Sequence, residues 1–306
     1  MKPLGTYVNG NYNVTIYPDG TKIRQNDLDH FNAAFPESID LKITNQCHNG
    51  CGFCYAGSTP DGQHADLLSP SFLDHLHPYT ELAIGGGDAM LHPDLDAFLW
   101  KMRDQKVLSN LTVHFGRAKE SVATLFEWSV NHLINGLGVS IQPYHMEDHL
   151  IKDGPKLFPN LVFHVINGLF SYDDLVKLSE VTKGRAKVLI LGYKTWGRGD
   201  QFAIDNSHYL SHRFITNEQM KQLMDENRFS VMSFDNLALA QINVQSVLDP
   251  HLWNLFYMGD DGQHTMYVDL VERKYARNSI SKDLKPLLPT IDEMFADVKG
   301  EPHEFA

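Results

Sequence analysis

Six short apolar runs, separated by stretches long enough to form helices, restrict this chain to few architectures. The runs are Ile39–Thr44, Glu81–Ile84, Leu111–Phe115, Leu137–Ile141, Leu161–Ile166 and Val188–Leu191, and helical spacing fills Pro93–Arg103, Ala118–Asn131 and Tyr172–Val181 between them. Strands that alternate with helices pair in parallel, because each parallel neighbour needs a crossover of about a dozen residues. The expected fold class is therefore α/β, a full or partial (β/α) TIM-like barrel of parallel strands. Ahead of it, Asn11–Tyr17, the turn chemistry of Pro18-Asp19-Gly20 and Thr21–Gln25 predict a β-hairpin. Beyond it, a helix over Asn217–Asn227 with Thr216 as N-cap and a strand over Phe229–Phe234 extend the pattern. Tyr257–Gly262 followed by Thr265–Leu270 reads as strand, turn, strand. The division expected is an N-terminal hairpin extension over 1–36, the barrel over 37–240 and a C-terminal extension packed on it over 241–306. No internal repeat or Pro/Gly/Ser-rich linker suggests independently mobile units.

Composition narrows the partners. The 306 residues carry 26 Lys plus Arg against 38 Asp plus Glu, a formal charge of −12. A sequence-independent grip on phosphate backbone needs the opposite sign, so the charge disfavours nucleic acid as a whole-surface partner. No apolar run nears the roughly 18 residues of a membrane span, and the first residues lack a signal-like apolar stretch. The expected location is cytoplasmic.

All three cysteines fall in one segment, Cys47-His48-Asn49-Gly50-Cys51-Gly52-Phe53-Cys54, directly after the first core strand. An odd, clustered set points to a metal or redox site rather than to a disulfide framework. Three thiolates can hold three irons of a [4Fe–4S] cluster and leave the fourth open, and an open position is where a substrate or cosubstrate binds. Two other arrangements use the same residues. With His48 or His64 the thiols can form a Cys3His zinc site, and Cys51 with Cys54 can form a redox pair that leaves Cys47 idle. The second run ends in Gly85-Gly86-Gly87-Asp88, followed by Ala89-Met90-Leu91-His92-Pro93-Asp94-Leu95. A triple glycine by itself marks only a turn or a close approach. In a barrel, however, residues after the first and second strands both reach the C-terminal rim.

Taken together these segments resemble the radical S-adenosylmethionine superfamily, whose motif is Cys-x3-Cys-x-aromatic-Cys after the first strand and Gly-Gly-Glu-Pro after the second. Phe53 fills the aromatic slot, while Asp88 and Ala89 replace the Glu and Pro. The resemblance implies that Cys47, Cys51 and Cys54 ligate a [4Fe–4S] cluster. It further implies that the methionine group of S-adenosylmethionine chelates the open iron, and that one electron releases a 5′-deoxyadenosyl radical which takes hydrogen from a substrate. Gly86 and Gly87 would let the backbone approach the methionine group, and Asp88 would accept hydrogen bonds from its ammonium. Ser140 or Gln142, after the fourth strand, would meet the ribose. The superfamily usually draws electrons from flavodoxin or ferredoxin.

Farther along, Tyr193-Lys194-Thr195-Trp196-Gly197-Arg198-Gly199-Asp200 places two cations at a strand end, where loops build sites. Lys194 and Arg198 are candidate catalytic residues, poised to pair with a carboxylate of the cosubstrate or with an anionic substrate. His114, Asn167, Asp235 and Asn236 follow strand-like runs and are candidates to line the cavity. The absence of cysteines after Cys54 removes ligands for auxiliary clusters and points to single-cluster chemistry. The reading is a radical S-adenosylmethionine enzyme acting on a small molecule, nucleotide or peptide. A glycyl-radical enzyme activase and a non-enzymatic zinc-binding module are its alternatives.

Overall fold

A computed structural model of the chain describes residues 1–28 and 30–299; residues 300–306 of the expected C-terminal extension and Asp29 of the N-terminal one lie outside the described residues. Three antiparallel strands, β1 (Gly5–Asn9), β2 (Tyr12–Ile16) and β3 (Lys22–Gln25), form a small N-terminal sheet. The expected hairpin is thus present as β2 and β3, with one more strand in front.

Among the described residues the main sheet has ten strands. β4 (Ser38–Thr44), β5 (Glu81–Gly86), β6 (Leu108–His114), β7 (Gly136–Ser140), β8 (Leu161–Ile166), β9 (Lys187–Leu191) and β10 (Val231–Phe234) are parallel and lie side by side in chain order. On the free side of β4 lies β11 (Thr265–Asp269), also parallel, followed by antiparallel β12 (Lys274–Ala276) and β13 (Lys285–Pro286). The sheet runs from β10 to β13 without a closing pair among the described residues, so it is an open, mostly parallel sheet. Two expectations change. The C-terminal segment is partly built into the main sheet through β11, and Tyr257–Gly262 is not a strand but follows the helix Pro250–Phe256.

Side-chain alternation gives the sheet two faces. In β8, Leu161, Phe163 and Val165 are buried while Val162, His164 and Ile166 are half-buried; β6 and β9 alternate in the same way. The buried set meets the helices. In Leu95–Asp104 the buried residues Leu95, Phe98, Leu99 and Met102 recur at helical spacing. Capping boxes start the helices Tyr172–Val181 (Ser171 with Asp174) and Asn217–Asp225 (Thr216 with Gln219), the second with the expected N-cap Thr216. The opposite, inner face of the sheet borders a half-open hollow of about 520 Å³. The β2–β3 turn, Tyr17 to Thr21, covers the end of that hollow near the strand starts. Ion pairs Lys22–Glu81 (2.6 Å) and Arg24–Glu37 (2.8 Å) hold the small sheet there. No helix among the described residues is long and apolar enough to cross a membrane.

Candidate active site

The cysteine loop leaves β4 and returns to pair with its own root. Cys47 N donates to Thr59 O (2.9 Å), Asn45 N to Gln63 O (2.8 Å) and Ala65 N to Ile43 O (3.0 Å). Within the loop, Cys54 N donates to Cys51 O (3.2 Å) and Asn49 Nδ2 to Cys47 Sγ (3.3 Å). All three thiols are half-buried. Burial pushes the Cys51 thiol up, and the neighbouring Cys54 and Cys47 push it further. A bound cationic centre favours the thiolate form of such a cysteine, and three thiols on one loop suit a three-thiolate cluster. Among the described residues, though, no three His, Cys, Asp or Glu side chains are gathered as a preformed metal site. A zinc reading gains nothing from His64, whose ring is bonded to Thr44 Oγ1 (2.9 Å) and packs edge-on against His92.

The glycine bend is stitched to the root of this loop. Gly87 N donates to Thr44 O and Asp88 N to Gln46 O, both at 2.7 Å. Gly86 has φ +122°, and a Cβ there would lie 2.4 Å from Thr44 O; a Cβ on Gly87 would lie 2.3 Å from Gln46 O. The missing side chains therefore make room for the chain leading into Cys47. That is a different reason for glycine than approach to a ligand. Asp88 is buried, with Oδ2 accepting from Arg117 Nε (2.8 Å) and Oδ1 from Met90 N (3.3 Å). Arg117 was not foreseen, although loops after neighbouring strands of a parallel sheet lie side by side.

The loop after β9 packs on the other flank of the cysteines, backbone against backbone. A Cβ on Gly197 (φ +54°) would lie 2.4 Å from Tyr55 O, and one on Gly199 would lie 3.2 Å from Phe53 O. Arg198 opens the helix Arg198–Asp205. It donates from N to Cys54 O (3.0 Å), from Nε to Cys51 O (3.1 Å) and from Nη1 to Ser58 O (2.9 Å), so its guanidinium is a strut across the cysteine loop. Phe53 packs towards Phe202, Tyr193 and Leu169 in a small apolar cluster.

Lys194 sits among acids. Its Nζ donates to Ser279 Oγ (2.9 Å) and lies 4.1 Å from the centre of the Tyr55 ring. Burial works against its charge, but Tyr55, Asp235, Asp40 and Asp261 outweigh burial and hold its pKa above the usual lysine value. An anionic substrate, expected from Lys194 and Arg198, finds no free pair of cations here. Asp235 caps the helix Asn236–Ile242 and also accepts from Gly192 N (2.9 Å), and Asn236 Nδ2 donates to Asp261 (2.7 Å). Asn167 is buried, with Oδ1 accepting from Ile215 N (3.0 Å), while its Nδ2 has no hydrogen-bond partner among the described residues. His114 caps the next helix through Gly116 N (3.1 Å). Ser140 ends β7 opposite His114 and His164, and Gln142 follows it at the head of a short turn of 3-10 helix.

Asp40 was also missed, although a carboxylate between Ile39 and Leu41 in a strand has to face away from the core. Its side chain is exposed to solvent on the inner face, but the protein mass around that face pushes its pKa up to about 6, with Lys194 opposing and Asp261 and Asp235 reinforcing. A carboxyl that holds its proton more tightly when folded lowers stability as pH rises from its unfolded value towards about 6. Asp40→Asn is therefore expected to gain thermal stability over the natural chain as pH rises from acid to neutral. Parallel melting curves across that range would contradict this.

Neither a family model nor a curated protein matches this chain. Solved structures do. The fold resembles that of SuiB from Streptococcus suis. SuiB bound to its precursor peptide SuiA superposes with a TM-score of 0.60 at 12% identity, covering 89% of this chain and 69% of SuiB. SuiB bound to S-adenosylmethionine gives 0.57 at 11% identity, over 88% and 69%. At such identity the likeness to SuiB is one of fold.

Proposed function

We propose that this chain is a radical S-adenosylmethionine enzyme whose Cys47, Cys51 and Cys54 hold one [4Fe–4S] cluster. The observation that carries the reading is the direct backbone stitching of the Gly86-Gly87-Asp88 bend to Thr44 and Gln46, immediately before Cys47. Two segments far apart in sequence, each of which the superfamily resemblance needs, share one rim. SuiB's binding of S-adenosylmethionine on the same fold supports the cosubstrate, and its binding of a precursor peptide favours a peptide among the substrate classes open here. Held by the thiolates of Cys47, Cys51 and Cys54, a reduced [4Fe–4S] cluster would supply one-electron reduction of a bound sulfonium, the source of hydrogen-abstracting chemistry.

The chain's own residues position and shield. Arg198 and Asn49 fix the cysteine loop, Arg198 through its carbonyls and Asn49 through Cys47 Sγ. Phe53 closes the loop against apolar neighbours and keeps water from its inner side. The Gly86–Asp88 bend offers backbone to the methionine group, with Asp88 held by Arg117. Ser140 and Gln142 stand at the β7 end for the ribose. Lys194, linking Tyr55 of the cysteine loop to the acids of the inner face, is proposed to order the substrate side of the site. A flavodoxin- or ferredoxin-like protein is the proposed electron donor.

Anaerobic reconstitution tests the assignment: about four irons per chain with broad absorption near 400 nm, and 5′-deoxyadenosine formed from S-adenosylmethionine under reduction, are expected. Zinc in place of iron refutes it. Asp88→Ala is expected to retain iron but to weaken cosubstrate binding about tenfold. It should also cost about 1–3 kcal/mol of stability, because Arg117 and Met90 N lose their acceptor. Unchanged binding would confine Asp88 to its structural role.

A further inference from the structure

Arg198 carries a charge that its own contacts leave uncancelled. Its guanidinium donates to Cys51 O (3.1 Å) and Ser58 O (2.9 Å), its backbone N donates to Cys54 O (3.0 Å), and no carboxylate pairs with it among the described residues. The side chain is half-buried, in a chain where 38 acids outnumber 26 Lys plus Arg, so an acidic partner is missing in spite of a surplus of acids. A strut between two carbonyls needs only neutral N–H donors; the positive charge is surplus to that task. Lys194, the other cation of the same loop, differs in this respect, because Asp235, Asp40 and Asp261 surround it. The helix Arg198–Asp205 also starts against the cysteine loop, so the positive end of its dipole adds in the same sense, while Asp200 in its first turn is exposed and screened by water. The charge already reaches a thiol: burial, Cys54 and Cys47 raise the pKa of Cys51, and Arg198 opposes them.

We infer that Arg198 sets the reduction potential of the iron–sulfur group proposed at Cys47, Cys51 and Cys54, its fixed and unpaired charge favouring the reduced form. The inference rests on the radical-enzyme reading. One electron from the low-potential donor adds a negative charge to a group that three thiolates already make anionic, and no bond forms or breaks in that step. A cation fixed by two backbone carbonyls next to the ligands stabilises the more negative form over the less negative one, with no rearrangement when the electron arrives. Arg198 acts through the cluster and touches no reacting atom, so it is a positioning residue whose product is a potential. This also accounts for arginine where a neutral donor would brace the loop equally well.

The test is an anaerobic redox titration of the reconstituted full chain against viologen mediators, followed by the visible absorption of the cluster. Arg198→Gln keeps an N–H donor and removes the charge; at a fixed potential its ratio of reduced to oxidised cluster should fall about tenfold, a shift of about 59 mV for one electron. Arg198→Lys keeps the charge and loses the planar fork, and should stay within about threefold of the natural chain. Melting of the iron-free variants reads the bracing role separately. Equal potentials in the natural and Gln chains overturn the inference, and so does a Lys variant that falls as far as the Gln one. If Arg198→Gln holds too little iron to titrate, Gln201→Glu decides. It leaves the bonds to Cys51, Ser58 and Cys54 in place and sets an acid three residues along the helix from Arg198, on a side chain that is exposed and bonds Asp205 (2.8 Å). A two- to threefold fall in the same ratio, or about that, is expected there, and an unmoved potential overturns the inference. Unmoved potentials in protein that holds iron and cleaves S-adenosylmethionine sink the role of Arg198 alone. Protein that takes up zinc and no iron sinks the radical reading, and this inference with it.

Discussion

Cys51→Ala is expected to abolish iron retention and formation of 5′-deoxyadenosine while leaving the fold in place. The structural contacts of Cys51 run through its carbonyl, which accepts from Cys54 N and Arg198 Nε, and alanine keeps that carbonyl. The thiol itself is only half-buried, and alanine keeps its Cβ. Stability should therefore change by less than about 1 kcal/mol, within the usual range for substitutions away from the core. Iron loss at unchanged melting temperature separates a missing ligand from a broken loop. Arg198→Ala supplies the contrast: it leaves every thiol but takes donors from the carbonyls of Cys51 and Ser58, so iron should be held less tightly rather than not at all. Normal turnover in the Cys51 variant would end the assignment, and full zinc occupancy in the natural chain would replace it.

The contrast also marks where sequence reasoning stops. Local signals carried well. The βα alternation placed six of the parallel strands, Thr216 caps its helix as expected, and the cysteine spacing put three thiols on one loop after β4. Contacts between distant segments did not carry. β11 pairs with β4 across more than two hundred residues, and a strand's apolar residues give no hint of which neighbour it will choose. Arg198 read as a free cation on a rim loop, whereas its partners are backbone carbonyls, which have no side-chain signature. Lys194 read as a receptor for an anion, and only the curl of the sheet brings Asp40, Asp235 and Asp261 around it.

Gly86→Ala is expected to be the most damaging single-atom addition at this rim. Its φ of +122° lies where a side chain is strained whatever the space, and the new Cβ would sit 2.4 Å from Thr44 O, a backbone atom that cannot swing away. Relief requires β4 and β5 to separate just where their register already shifts, between Lys42 and Thr44. A loss of about 2–4 kcal/mol follows from strain plus overpacking, read as a lower urea midpoint at unchanged slope. Gly50→Ala, inside the cysteine loop, isolates the first contribution: φ is +62° but nothing lies within 4 Å of a Cβ, so the cost should be about 1 kcal/mol. Gly87→Ala isolates the second, since its Cβ would meet Gln46 O at 2.3 Å without a positive φ. If the glycines serve the chain as argued, both Gly86→Ala and Gly87→Ala lower stability and iron retention together, because the displaced atoms belong to the two residues that lead into Cys47. If instead they serve only the cosubstrate, stability and iron stay at natural values and only S-adenosylmethionine binding falls.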